Sequence, residues 1–122
     1  MAGGKLARGQ SSPIVTPPGS KAMTLTELRQ LAAEVGLPNP DLAAAIAMAE
    51  SNGNPLAIGD NGTSFGLWQI HLPAHPEYDA ISLGDPMTNA LAAKAISKNG
   101  ADWTPWTTFN NGAYKKYMGE VA

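Results

Sequence analysis

The chain has 122 residues, a formal charge of -2, 43% hydrophobic residues and no cysteine. That length suits one domain with one core, since folding at this size buries roughly two-thirds of the unfolded surface. The near-neutral balance, without any run of Lys or Arg, excludes the electrostatic footprint of a nucleic-acid or anionic-lipid binder, and the lack of cysteine excludes disulfides and thiolate metal sites.

Residues 1–20 are rich in Gly, Ser and Pro, with Pro13, Pro17, Pro18 and Gly19 clustered. This composition predicts a flexible arm or linker, leaving 21–122 as the folded domain. The arm lacks the apolar core of a signal peptide, and no stretch approaches the length of a transmembrane helix, so neither export signal nor membrane partner is expected. Thr24-Leu25-Thr26-Glu27 has the spacing of a capping box. Leu25, Leu28, Leu31, Ala32 and Val35 then recur at helical spacing until Gly36 and Pro38 stop the first helix.

Asn39-Pro40-Asp41 has the form of a second helix start, with Asn as cap and Pro in the first turn. This helix is expected over 40–51, and Leu42, Ile46 and Ala49 mark its apolar stripe. Glu50 lies on that stripe, four residues after Ile46 and eight after Leu42, so its carboxyl turns toward the apolar side. Burial there, at the negative end of the helix dipole with Gly53 as terminator, resists ionisation. A carboxylic acid kept protonated near neutral pH can give its proton to a leaving group.

Residues 52–63 hold too many Gly, Asn-Gly and Pro breakers for regular structure, and a loop or short hairpin is expected. Residues 64–70 are read as a short helix, with Trp68 packed beneath it. A Pro-containing excursion follows from Leu72 to Gly84. Asp85-Pro86 then opens a third long helix, carried by Met87, Ala90, Leu91, Lys94 and Ala95 and ending near Asn99-Gly100. A last helix is expected at about 111–118. Trp103 and Trp106 flank Pro105 and serve either as core or as stacking platforms for sugar rings. His71 and His75 are four apart, but Pro73 between them argues against one helix face and no carboxylate completes a ligand set, so no metal or other cofactor is expected.

From Glu50 onward the residues form a longer pattern: Glu50-Ser51, Asn54-Pro55, Ala57, Gly59-Asp60, Gly62, then Phe65-Gly66-Leu67-Trp68-Gln69-Ile70. This segment resembles the catalytic region of the lytic transglycosylase and goose-type lysozyme superfamily. Downstream, Phe109-Asn110-Asn111-Gly112 resembles the Tyr-Asn-Ala-Gly motif of the same transglycosylases. The resemblance covers residues 24–118. It implies a mainly α, small lysozyme-like domain of five or six helices, with the 52–63 loop or hairpin lining one wall of a saccharide cleft.

Carried over residue by residue, the resemblance makes Glu50 the catalytic acid. It gives Ser51, Gln69 and Asn110 the task of bonding substrate or orienting that acid. Asp60 stands where goose-type enzymes carry an Asp that positions a water; by its own residue chemistry, Asp60-Asn61-Gly62 is equally a turn. His71 stands where those enzymes have a second Asp, and an imidazole there could also hold a water. Phe109 replaces a Tyr whose hydroxyl bonds the acid, which raises Tyr114 or Tyr117 as a substitute and places Phe109 and Tyr114 among the candidate substrate contacts.

The implied function is a muramidase that cuts the β-1,4 bond between N-acetylmuramic acid and N-acetylglucosamine in peptidoglycan. One catalytic acid, beside an Asp that equally reads as a turn residue, tilts the expected outcome toward lytic transglycosylation over inverting hydrolysis. The alternatives are a non-catalytic virion or cell-wall saccharide-binding module and a chitin-cleaving enzyme of the same fold. The expected partner is the peptidoglycan glycan strand, and the isolated domain is expected to be a monomer. Without an export signal, delivery would come from a phage particle, with virion proteins as further partners, or from release during phage lysis.

Overall fold

The second helix forms the centre of the domain because its side chains are small. A computed structural model of the protein describes residues 21–119. In it α2 (Pro40–Ser51) buries Ala43, Ala44, Ala45, Ile46, Ala47, Glu50 and Ser51. Burial along most of a helix means neighbours on several sides, and four alanines let those neighbours approach closely. Ile46 and Glu50 are fully buried as the stripe predicted, whereas Leu42 and Ala49 are only half-buried. Asn39 caps α2 by accepting from the Leu42 amide at 3.2 Å. At its other end Asn52 and Gly53 leave the helix with φ of 55° and 81°. Gly53 is required there: a Cβ would lie 2.3 Å from the Met23 carbonyl oxygen.

α1 (Leu25–Glu34) packs on α2 through Leu28, Leu31 and Ala32, and begins with the full Thr24–Glu27 capping box. α3 (Pro86–Ile96) is capped by Asp85, whose side chain accepts from the Thr88 amide. It stops three residues short of Asn99-Gly100, because Lys98, Asn99 and Gly100 all take left-handed backbone. Of the last helix expected at about 111–118 only the second half forms, as α5 (Lys115–Gly119); Gly112 at φ 81° precedes it, and a separate short helix, α4 (Thr107–Asn110), lies before the expected start. Both pack on α2.

The short helix expected over 64–70 is absent. Ser64–Phe65 is strand β2, Ile70–His71 is strand β3, and they pair antiparallel with β1 (Ile58–Gly59) in the order β1-β2-β3. The physical cause is the turn between β2 and β3, where Gly66 and Gln69 adopt φ of 80° and 48°, outside the right-handed helical region. Asn89 of α3 fixes that turn. Its Oδ1 accepts from the Trp68 amide at 2.8 Å, and its Nδ2 donates to the carbonyls of Phe65 and Leu83 at 2.9 and 3.0 Å. The 52–63 stretch therefore takes the hairpin form of the two that its composition allows. A small, mainly α domain with a three-stranded sheet results. Its core runs from Leu28 to Trp106 and includes Trp68, Trp103 and Trp106, so the tryptophans are packing residues.

Candidate active site

Glu50 occupies the last turn of α2 with no exposed surface. Thr108 in α4 donates its hydroxyl to Glu50 Oε2 at 2.6 Å. The indoles explain how a residue so distant in sequence reaches this position. Trp68 Nε1 donates to the Ala43 carbonyl of α2 at 3.1 Å, and Trp106 Nε1 donates to the Trp68 carbonyl at 2.8 Å. Thr108 follows Trp106 by two residues, so these two bonds fasten α2, the 66–69 turn and α4 into one frame around the carboxyl.

Thr108 is the residue that sequence reasoning missed. The expected Tyr hydroxyl is replaced by Phe109, which stacks on Tyr114 at a centroid distance of 5.3 Å and 20° between planes. The hydroxyl reaching Glu50 comes instead from one position earlier in Thr107-Thr108-Phe109-Asn110. The signal for it was the Thr beside the motif, indistinguishable locally from an ordinary helix-start threonine.

The candidate substrate contacts on the Glu50 side are engaged in holding the backbone. Ser51 is 1% exposed, donates to the Ala47 carbonyl and accepts from the Gly53 amide, so it shapes the helix exit after the acid. Gln69 is fully buried, and its Nε2 donates to the carbonyls of Ala57 and Gly66, both at 3.0 Å. Because Ala57 also accepts from the Gly66 amide, Gln69 rivets the loop after Glu50 to the β2–β3 turn. Asn110 is exposed and donates to the Thr104 carbonyl at 2.8 Å. Phe109 and Tyr114 are half-buried against each other and against the core.

The sheet assembles a second cluster. Asp60 and Asn61 take φ of 51° and 57°, bending the turn back so that Asp60 meets β2. Thr63 Oγ1 locks this turn by donating to the Asp60 carbonyl at 2.7 Å. Ser64 Oγ lies 2.6 Å from Asp60 Oδ2 and 3.0 Å from His71 Nδ1, while His71 Nδ1 and Asp60 Oδ2 are 3.9 Å apart. Asp60 is thus a turn residue by backbone, as its own residue chemistry allows, and its carboxylate lies beside the His71 imidazole. His75 does not join His71 on a helix face; it is 1% exposed, and burial holds its imidazole below the ordinary histidine range. Among the described residues no group of three or more His, Asp or Glu stands ready to hold a metal.

Two features can carry chemistry: a buried carboxyl that accepts from the Thr108 hydroxyl, and a partly exposed imidazole backed by a hydroxyl and a carboxylate. Residues 29–108, well over half of the chain, match the family model described as a lysozyme-like domain. No curated protein and no solved structure matches the chain.

Proposed function

Because the chain belongs to the lysozyme-like domain family, whose setting is peptidoglycan glycoside cleavage, we propose that it is a muramidase cutting the β-1,4 bond between N-acetylmuramic acid and N-acetylglucosamine. The observation that carries this reading is Glu50, a carboxyl with no exposed surface at the end of a rigid helix and hydrogen-bonded by Thr108. A carboxyl withdrawn from water favours its neutral form, which is the form a general acid needs. Glu50 protonates the glycosidic oxygen as its bond to the anomeric carbon breaks, leaving an oxocarbenium-like centre to be captured.

Two captures are open to such an acid. In a lytic transglycosylase, Glu50 as carboxylate takes the proton of the sugar's own 6-hydroxyl, and a 1,6-anhydro end forms without a second acid–base group. In an inverting hydrolase a second group holds water on the opposite face, typically with the two groups roughly 6.5 to 9.5 Å apart when both are carboxyls. The cluster of Asp60, Ser64 and His71 is the observation that favours the second capture.

Glu50→Gln tests the shared step. It keeps size and shape but cannot give the proton, so turnover on purified peptidoglycan should fall by about 10² to 10⁴. A folded Glu50→Gln protein that clears cell walls at the native rate would refute the assignment.

A further inference from the structure

The bonds around Ser64 settle which ring nitrogen of His71 carries its proton. Asp60 as carboxylate only accepts, and the 2.6 Å separation from Ser64 Oγ to Asp60 Oδ2 commits the single hydroxyl proton of Ser64 to that carboxylate. Ser64 Oγ must then accept at its 3.0 Å contact with His71, so Nδ1 carries the hydrogen. In the neutral ring Nε2 is left with the lone pair. We infer that His71 Nε2 is the base that takes the proton of the attacking water, with Ser64 and Asp60 as its positioning residues.

The inference rests on the muramidase reading and commits it to hydrolysis. Three observations support it. The Asp60 side chain is 4% exposed, Ser64 is fully buried and the His71 side chain is 21% exposed, so the imidazole is the member that meets solvent and the carboxylate is not. The backbone fixes the relay as well, because Ser64 and His71 are direct partners in the β2–β3 register and the Leu72 amide continues the pairing to the Thr63 carbonyl at 2.9 Å. Finally, β3 leaves the same 66–69 turn that Trp68 and Trp106 fasten to α2 and to the Thr108 segment, so one rigid frame sets both the acid and the imidazole.

The Glu50 proton passes to the glycosidic oxygen, the bond from that oxygen to the anomeric carbon breaks, and the electron pair stays with the departing 4-hydroxyl. Water oxygen bonds to the anomeric carbon while one of its protons moves to His71 Nε2. The resulting imidazolium is stabilised by Asp60 through Ser64, as a buried carboxylate stabilises an imidazolium through the opposite nitrogen. Glu50 regains a proton and His71 loses one to solvent, and the products are a reducing muramic end and a free 4-hydroxyl.

The full chain, incubated with purified peptidoglycan in water labelled with heavy oxygen, should release reducing muramic ends carrying one labelled oxygen, read by mass spectrometry. His71→Ala should lower kcat by about 10² to 10⁴ with little change in KM, and added imidazole should restore part of it. Ser64→Ala should lower kcat by about tenfold or more, and Ser64→Thr, which keeps the hydroxyl, should recover most of that loss. A proton–nitrogen correlation spectrum of the unliganded protein should show the hydrogen of His71 on Nδ1, a readout independent of activity. Anhydro ends free of label, or the hydrogen on Nε2, would overturn the role of His71 and leave the muramidase reading standing. If the wild type releases no muropeptides, the muramidase reading itself falls, and this inference with it.

Discussion

Thr108→Val removes the hydroxyl that meets Glu50 and replaces it with a methyl of nearly the same volume, so no cavity opens in the core. The bond it deletes is 2.6 Å long, and Thr108 is 8% exposed, so water does not readily replace the lost donor. A buried acceptor that loses its donor is destabilised by about 1 to 3 kcal/mol. If the bond serves to hold the carboxyl in its reactive position, losing it slows the reaction by roughly 5- to 150-fold. The effect should fall on kcat, because Thr108 is not proposed to touch the sugar. The assay is the initial rate of soluble muropeptide release from purified peptidoglycan, with folding checked by chemical denaturation on the same preparation. Thr108→Ser restores the donor and should recover most of the rate. A folded Thr108→Val protein working within about twofold of the native rate would refute the claim that this hydroxyl orients the acid.

Three further outcomes follow from the structure. Gly66→Ala would place a Cβ 2.1 Å from Asn89 Nδ2 and 2.5 Å from the Leu83 carbonyl oxygen at a φ of 80°, so it should cost about 3 kcal/mol or more; an unchanged denaturation midpoint would show that the turn is not held by Asn89. His75 is shifted below its ordinary value of 6.5, chiefly by burial, so the unfolded chain binds its proton more readily than the folded one. The stability due to neutral His75 is therefore present above that unfolded value and lost as pH falls below it; denaturation midpoints across this window should drop for the native chain and drop less for His75→Gln. A chain beginning at Lys21 should fold and cleave peptidoglycan, since the core is built from residues 28–106; loss of folding or activity would assign residues 1–20 to the domain.

Much of the helical framework was legible because its signals are local. The capping box at Thr24, Asn39 as a cap, and Pro at the first position of α2 and α3 act within one turn of chain, and the structure keeps them all. Glu50 was legible for the same reason, since its separation from Ile46 and Leu42 sets its side of the helix. The misreading of residues 64–70 was also physical. Seven residues of mixed apolar character fit a helix or a strand–turn–strand equally well, and the choice fell to Asn89, which binds the turn from more than twenty residues away.

The sequence by itself determined where the three long helices begin, which carboxyl faces the interior and which segments form the lysozyme-like motif, because each depends on neighbours within a few residues. Only the tertiary structure decided how the site is wired. Thr108 reaches Glu50 across 58 positions, and two indole bonds span 25 and 38 positions to make that meeting possible. Ser64 joins Asp60 to His71 only because the β2–β3 register sets two side chains opposite each other. Hydrogen bonds of this kind depend on ångström-scale placement by the whole core, and no local pattern of residues encodes that placement.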